Sequence, residues 1–208
     1  MESFDRKKHW ENIYSTKQLN EVSWYQQTPE TSLNFIKELN IPKTASIIDI
    51  GGGDSFLIDN LLELGYHNLT LLDISKKAIE RAKLRLGDQS KYVKWIEADA
   101  SNFNPTETYD LWHDRAAFHF LTDKNEINNY LESAKKGVKE TGNLIIGTFS
   151  AEGPKKCSGI EITQYSENSL INKFSNSFQK LDCKIFEHET PFNTKQNFVF
   201  CSFKKINK

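Results

Sequence analysis

Three carboxylates, Asp49, Asp73 and Asp99, stand at the ends of short apolar runs: Ile47-Ile-Asp-Ile50, Leu69-Thr-Leu-Leu-Asp73, and Tyr92-Val-Lys-Trp-Ile-Glu-Ala98 followed by Asp99-Ala100. In open α/β sheets ligands bind beyond the carboxyl ends of the strands, where a carboxylate can accept from two ribose hydroxyls. Asp49 runs straight into Gly51-Gly52-Gly53-Asp54-Ser55-Phe56. Glycines there let the backbone approach a ligand and adopt dihedrals closed to other residues, and the helix that follows presents free N–H groups. The pattern points to a nucleotide-like ligand. The dinucleotide fingerprint G-x-G-x-x-G/A needs a small residue three positions after its second glycine, for close packing of helix on strand. Here that position is Phe56.

The segment Asp49-Ile-Gly51-Gly52-Gly53-Asp-Ser55 instead resembles the first motif of the class I S-adenosylmethionine-dependent methyltransferases, Asp-x-Gly-x-Gly-x-Gly/Ser. That resemblance implies a cofactor site of Asp49, Gly51, Gly52, Gly53 and Ser55, with S-adenosyl-L-methionine as the cofactor. Asp73, followed by Ile74, would take the ribose hydroxyls, and Asp99-Ala100 would read the adenine amino group. A structural role also exists for each. Asp73 could merely sit at the favourable N-terminal side of the next helix, although Ser75 is the better cap; Asp99 could be a loop aspartate.

Methyl transfer from a sulfonium is an in-line displacement, so the protein mainly aligns nucleophile, methyl carbon and sulfur and keeps water out. No metal is needed in this reading. A positioned base helps where the nucleophile carries a proton, and the end of the fourth strand, Tyr109-Asp-Leu-Trp-His113-Asp114-Arg115-Ala-Ala-Phe-His119-Phe, is where it should stand. Asp114, His113 and His119 are the candidates, His113 also as a neighbour of the cofactor. An Asp114–Arg115 surface pair or a packed histidine is the plainer reading.

Ahead of the fold lie Trp10, Tyr14, Trp24 and Tyr25. Trp10 and Tyr14 fall one helical turn apart and share a face, which suits a docking stripe. Trp24 and Tyr25 resemble the N-terminal aromatics with which related enzymes cover the cofactor; an aromatic face beside a sulfonium gains a cation–π attraction. The segment is expected to close over the cofactor as a lid.

These residues need a frame. From Pro42 onward strands and helices alternate, which implies a parallel sheet with helices on both faces. Strands are expected at 47–50, 69–73, 93–98, 109–113 and 143–148, and helices at 54–64, 75–86, 123–136 and 166–175. Gly65 and Gly87 act as stops, and Asp123-Lys-Asn-Glu126 has capping-box spacing. Residues 151–165 form a long loop of the functional kind; the runs 180–189 and 197–203, joined through 190–196, read as an antiparallel hairpin. A Rossmann-like sheet of seven strands, mostly parallel and closed by such a hairpin, is the class I methyltransferase architecture. The division expected is an N-terminal helical lid and substrate-side segment over 1–40 and a methyltransferase domain over 41–208.

The 208 residues, 38% hydrophobic and 26% charged, suffice for one good core. A formal charge of −1 with interspersed signs offers no field for nucleic acid. Lys204, Lys205 and Lys208 read as a solvated end. Cys157, Cys183 and Cys201 are too few and too widely spaced for a disulfide framework or a zinc site, which implies a reducing, cytoplasmic setting. The N-terminus lacks the apolar core of a signal peptide, and no run is long enough to span a bilayer.

The peptide from Trp112 to Leu121, the loop Gly153-Pro-Lys-Lys-Cys157-Ser158-Gly159-Ile, and Thr190-Pro-Phe with Gln196-Asn-Phe resemble a bacterial subgroup of these enzymes whose substrates are mostly unassigned. Cys157 reads as a small loop residue rather than a nucleophile. The Asn/Asp-Pro-Pro-Tyr/Phe signature is absent at 113–117, which disfavours DNA adenine and release-factor glutamine as acceptors. The expected activity is methylation of an N, O or S nucleophile on a small molecule or protein side chain. The alternatives are a nicotinamide-dependent oxidoreductase on a similar sheet and a non-catalytic partner protein that binds the cofactor.

Overall fold

The structure is a computed structural model that describes residues 4–206. Residues 1–3 of the N-terminus and Lys208 of the expected solvated end lie outside that range. The elements run α1 (Arg6–Thr16), α2 (Glu30–Glu38), β1 (Ile47–Ile50), α3 (Leu57–Glu63), β2 (Leu69–Asp73), α4 (Lys76–Leu86), β3 (Val93–Glu97) and β4 (Tyr109–Arg115), then α5 (Lys124–Gly137) and β5 (Val138–Phe149). A two-strand turn of β6 (Lys156–Cys157) and β7 (Ile160–Glu161) interrupts the long loop before α6 (Glu167–Phe174), β8 (Phe178–Glu189) and β9 (Lys195–Lys205).

Seven strands form one sheet in the order β3-β2-β1-β4-β5-β9-β8. All pairings are parallel through β5, while β9 lies antiparallel between β5 and β8. The order reverses between β1 and β4, and such a switch point opens a crevice at the strands' carboxyl ends. This is the Rossmann-like sheet with a closing hairpin that the sequence pattern predicts.

Both faces are covered, which is why β1 and β2 are buried at every position. Side chains alternate between the two layers. Ile47, Leu69, Leu71, Leu111 and Ile145 pack with α2 and α3, whereas Ile48, Ile50, Leu72, Trp112, Leu144 and Ile146 pack with α5 and α6. Phe35 and Ile36 make α2 part of the first layer.

Several local expectations shift. Residues 54–56 are used by the turn, so α3 begins at Leu57 with Phe56 at its N-cap. Asp123 caps α5 by accepting from Asn125 N and Glu126 N, but Glu126 does not complete a capping box; its carboxylate meets Arg6 at 2.7 Å. Lys205 is no solvated end: its side chain is only 11% exposed, and its Nζ donates to Val138 O at 2.7 Å and pairs with Glu140 at 3.0 Å. Cys183 and Cys201 stand directly opposite on β8 and β9 and are joined by a disulfide. Spacing along the chain hid this pair, because a hairpin brings residues 18 apart into register. Cys157 remains a buried free thiol.

Gly137, in the last turn of α5, shows how tightly the second layer is filled. A Cβ there would lie 2.5 Å from Cζ3 of the buried Trp112 ring. Helix propensity alone favours alanine over glycine by about 1 kcal/mol, whereas overpacking costs about 1–3 kcal/mol. Gly137→Ala is therefore expected to lower stability in a urea titration; a gain would show that Trp112 has room to move.

Candidate functional site

The glycine turn after β1 is shaped by two positive-φ residues. Gly51 has φ +63°, and a Cβ on it would stand 2.5 Å from Cβ of Ala117; Gly53 has φ +56°, and a Cβ on it would meet the Tyr14 hydroxyl. Two arginines of α4 hold the turn from outside. Arg85 donates to Asp54 O and Ser55 O and pairs with Asp59 at 2.8 Å, and Arg81 pairs with the buried Asp54 at 2.9 Å.

Above the turn opens a cleft with a cavity volume of about 100 Å³. Asp49, Gly51, Gly52, Ser55, Asp73, Ile74, Asp99, Ala100 and His113 all line it, so the carboxylates of three neighbouring strands converge there. Gly53 sits beneath Tyr14 at its edge. Asp73 is buried, and its Oδ1 accepts from Ser75 N at 2.7 Å. Burial pushes its carboxyl up to about 7, with Asp54 and Asp49 adding to the rise and the donors of Ser75 and Gly53 opposing it. Asp99 is partly engaged: it accepts from Ser101 N at 2.8 Å and from Arg6, whose other nitrogen holds Glu126.

Alternation along β4 sorts the candidates for chemistry. His113 lies beside Asp49 in register and on the same face. Its Nδ1 stands 2.7 Å from Asp49 Oδ1 and its Nε2 stands 2.9 Å from Ser32 Oγ. An ionised carboxylate only accepts, so Nδ1 carries the proton and Nε2 accepts from the serine hydroxyl. The connectivity is that of an acyl-transfer triad, yet Ser32 is 1% exposed on α2 and does not line the cleft. It anchors the imidazole instead.

Asp114 points the other way, into the α5 layer, and is fully buried. It accepts from Ala117 N, Phe118 N and the Tyr130 hydroxyl, the last at 2.6 Å; burial still raises its carboxyl to about 6. It braces the turn after β4 and does not reach the cleft. His119 is also walled off: Nδ1 accepts from Phe149 N at 3.2 Å, and burial lowers the ring to about 3. A ring so weakly basic and so enclosed is packed, not poised for proton transfer. Nor is there an Asp114–Arg115 surface pair, because adjacent strand residues face opposite layers; Arg115 enters the cleft.

The N-terminal aromatics divide as well. Trp10, Tyr14 and Trp24 line the cleft, with Trp24 edge-on to Trp10 at 5.7 Å and to Tyr14 at 6.4 Å. Tyr25 packs on Phe56 at 5.9 Å, away from the cleft, since Phe56 is turned outward between Tyr25 and the Arg85 guanidinium. Glu11 fastens α1 by accepting from Lys76 N and Lys77 N at the start of α4, and Arg81 donates to Tyr14 O and Lys17 O.

Residues 47–142, from the first residue of β1 into β5, match the family described as "Methyltransferase domain". That stretch belongs to the methyltransferase-domain family. The chain is 34% identical over 141 residues to malonyl-[acyl-carrier protein] O-methyltransferase 1 of Ilyobacter polytropus, covering 67% of this chain but 50% of that protein. Human EEF1A lysine methyltransferase 2 is 21% identical over 194 residues, covering 85% and 75%. Among solved structures, the N-methyltransferase NodS of Bradyrhizobium japonicum in complex with S-adenosyl-L-homocysteine superposes with a TM-score of 0.71 at 14% identity, covering 98% and 100%. The chain spans half the length, or less, of the first curated relatives it matches. No helix among the described residues is long and apolar enough to cross a membrane.

Arg6, Arg81, Arg85, Ser32 and Arg115 escape a reading of strand ends and glycines. Arg115 alone carried a signal, because period-two alternation puts it on the side of Asp49 and His113.

Asp73 and Asp114 bind protons more tightly folded than unfolded, so the folded chain holds more protons between an ordinary carboxylate value and about 7. Without cofactor, stability is therefore expected to fall as pH rises from about 6.5 to about 8, above the range in which the His119 ring, uncharged when folded, pulls the other way. Denaturant titrations across that range check the slope, and Asp73→Asn should flatten it; a stability that rises over the same range would contradict the burial of both charges.

Proposed function

We propose that this methyltransferase domain binds S-adenosyl-L-methionine across the ends of β1, β2 and β3 and transfers its methyl group to a nucleophile held beyond β4. The observation that carries the reading is the convergence of Asp49, Asp73 and Asp99 on one cleft around the Gly51–Gly53 turn. Asp99 and Ala100 would take the adenine, Asp73 and Ile74 the ribose, and Asp49 with the glycines the methionine end.

Trp24, backed by Trp10 and Tyr14, supplies an aromatic face for a sulfonium, worth about 0.5–2 kcal/mol. Clamped by Glu11 and Arg81, α1 would close the site against water as a lid. Bound cofactor supplies the electrophilic methyl group; the chain's own part is alignment and exclusion of water. Asp114 and His119 are assigned to the scaffold in this reading, leaving His113, fixed between Asp49 and Ser32, as a neighbour of the reacting centre. The relatives named for an acyl-carrier protein and for EEF1A lysine support an acceptor that is a small molecule or a protein side chain. Cytoplasmic action belongs to the same proposal.

Isothermal titration with S-adenosylmethionine, S-adenosylhomocysteine and NAD tests this. Micromolar binding of the first two and none of NAD is expected. Ribose hydroxyls donating to Asp73 favour its ionised form, so affinity should fall as pH drops below about 7, up to tenfold per unit, with a proton released on binding at lower pH. Asp73→Ala should weaken binding by at least tenfold, since hydrogen bonds to a charged group contribute about 1.5–3 kcal/mol each. Unchanged affinity in that variant would remove the ribose assignment.

A further inference from the structure

Past Asp49, at the next strand end, the cleft changes character. Its walls become Trp24, Phe120, Phe149 and Phe198, with Cys157 and Gln196 beside them, and one guanidinium, that of Arg115, faces into them. Among the described residues only two acceptors meet the five N–H bonds of that group: Gln26 Oε1 at 2.5 Å and Trp24 O at 3.1 Å, both neutral. Among the described residues no carboxylate lies within ion-pair distance of it. Asp49 is near enough to favour its charge, but Asp49 is bonded to His113. Desolvation weighs against the charge in turn.

Arg115 is held rigidly. His188 Nε2 donates to Ser23 O at 2.7 Å, which leaves Nδ1 to accept from Gln26 Nε2 at 3.1 Å and turns the Gln26 carbonyl toward the guanidinium. The relay ties the 23–26 segment, β8 and β4 around one cation whose remaining donors are open to the cleft.

A charge held from water without a counterion is costly, while a planar guanidinium with free parallel donors matches a carboxylate in a two-point pair. We infer that Arg115 is the seat of an anionic group on the methyl acceptor, and that the acceptor is a small organic acid, a carboxylate on a planar apolar body that the phenylalanines clasp. The inference rests on the cofactor reading above for the direction of the cleft. Sheet order places adenine, ribose and methionine over β3, β2 and β1, so β4 lies on the acceptor side. A cation beside a sulfonium would repel it, and an anion between them removes the conflict. The covering segment and hairpin favour a small molecule over a folded protein.

Benzoate serves as the probe, with the isosteric neutral benzamide and the cationic benzylamine as controls, titrated into the full chain with and without saturating S-adenosylhomocysteine. Benzoate is expected to bind at least tenfold more tightly than benzamide, and benzylamine not at all. Arg115→Gln should abolish that preference while keeping the affinity for S-adenosylhomocysteine within threefold; Arg115→Lys, which keeps the charge without the fork, should retain part of it. Equal binding of benzoate and benzamide to the wild-type chain overturns the proposal whatever the variants do. So does a tenfold loss of S-adenosylhomocysteine affinity in Arg115→Gln, which would give the guanidinium to the cofactor's own carboxylate. Failure of S-adenosylhomocysteine to bind the wild-type chain overturns the cofactor reading instead, and the benzoate preference is then judged on the ligand-free protein.

Discussion

Burying both faces of a parallel sheet leaves polar side chains almost no room except at the carboxyl ends of the strands, and the rest of this molecule follows from that constraint. β1 is buried along its whole length. Its one carboxylate, Asp49, is tolerated because His113 and Ser32 complete a hydrogen-bonded chain from β1 through β4 to α2. A buried charge without such partners costs several kcal/mol. The same device recurs on the opposite face, where Asp114, Tyr130 and Trp112 form a second chain that ties β4 to α5. Two polar networks therefore pin the central strand from either side.

The frame was legible because it depends on short-range patterns. Apolar runs, helix stops at Gly65 and Gly87, and the Ser75 and Asp123 caps are written within a few residues of where they act. The convergence of Asp49, Asp73 and Asp99 was readable too, since strand ends in a sheet of this order must lie side by side. What could not be read is set by contacts across long separations. Glu126 has capping spacing but bonds to Arg6, 120 residues away. Asp114 is aspartate at the right strand end, yet a single step along β4 turns it to the wrong layer. Tyr25 follows Trp24, and the turn between them sends one ring to the cleft and the other to Phe56. Cys183 and Cys201 pair because of hairpin register, which no spacing rule for isolated cysteines encodes.

Electrostatics divide the cleft. Its end at β3 is framed by charge, with Arg6 shared between Asp99 and Glu126, while its far end is framed by aromatic rings around Arg115. Two carboxylates with raised proton affinity, Asp73 and Asp114, are the cost of this layout. The first lines the cleft, while the second is enclosed against Tyr130 in the α5 layer.

Arg6, Trp10, Tyr14 and Trp24 all come from the first 24 residues, and between them they wall the cleft from the end at Asp99 to the aromatic end. One short stretch of chain therefore contributes to the wall at both ends, so any change in how α1 docks on α4 reshapes the whole length of the cleft at once.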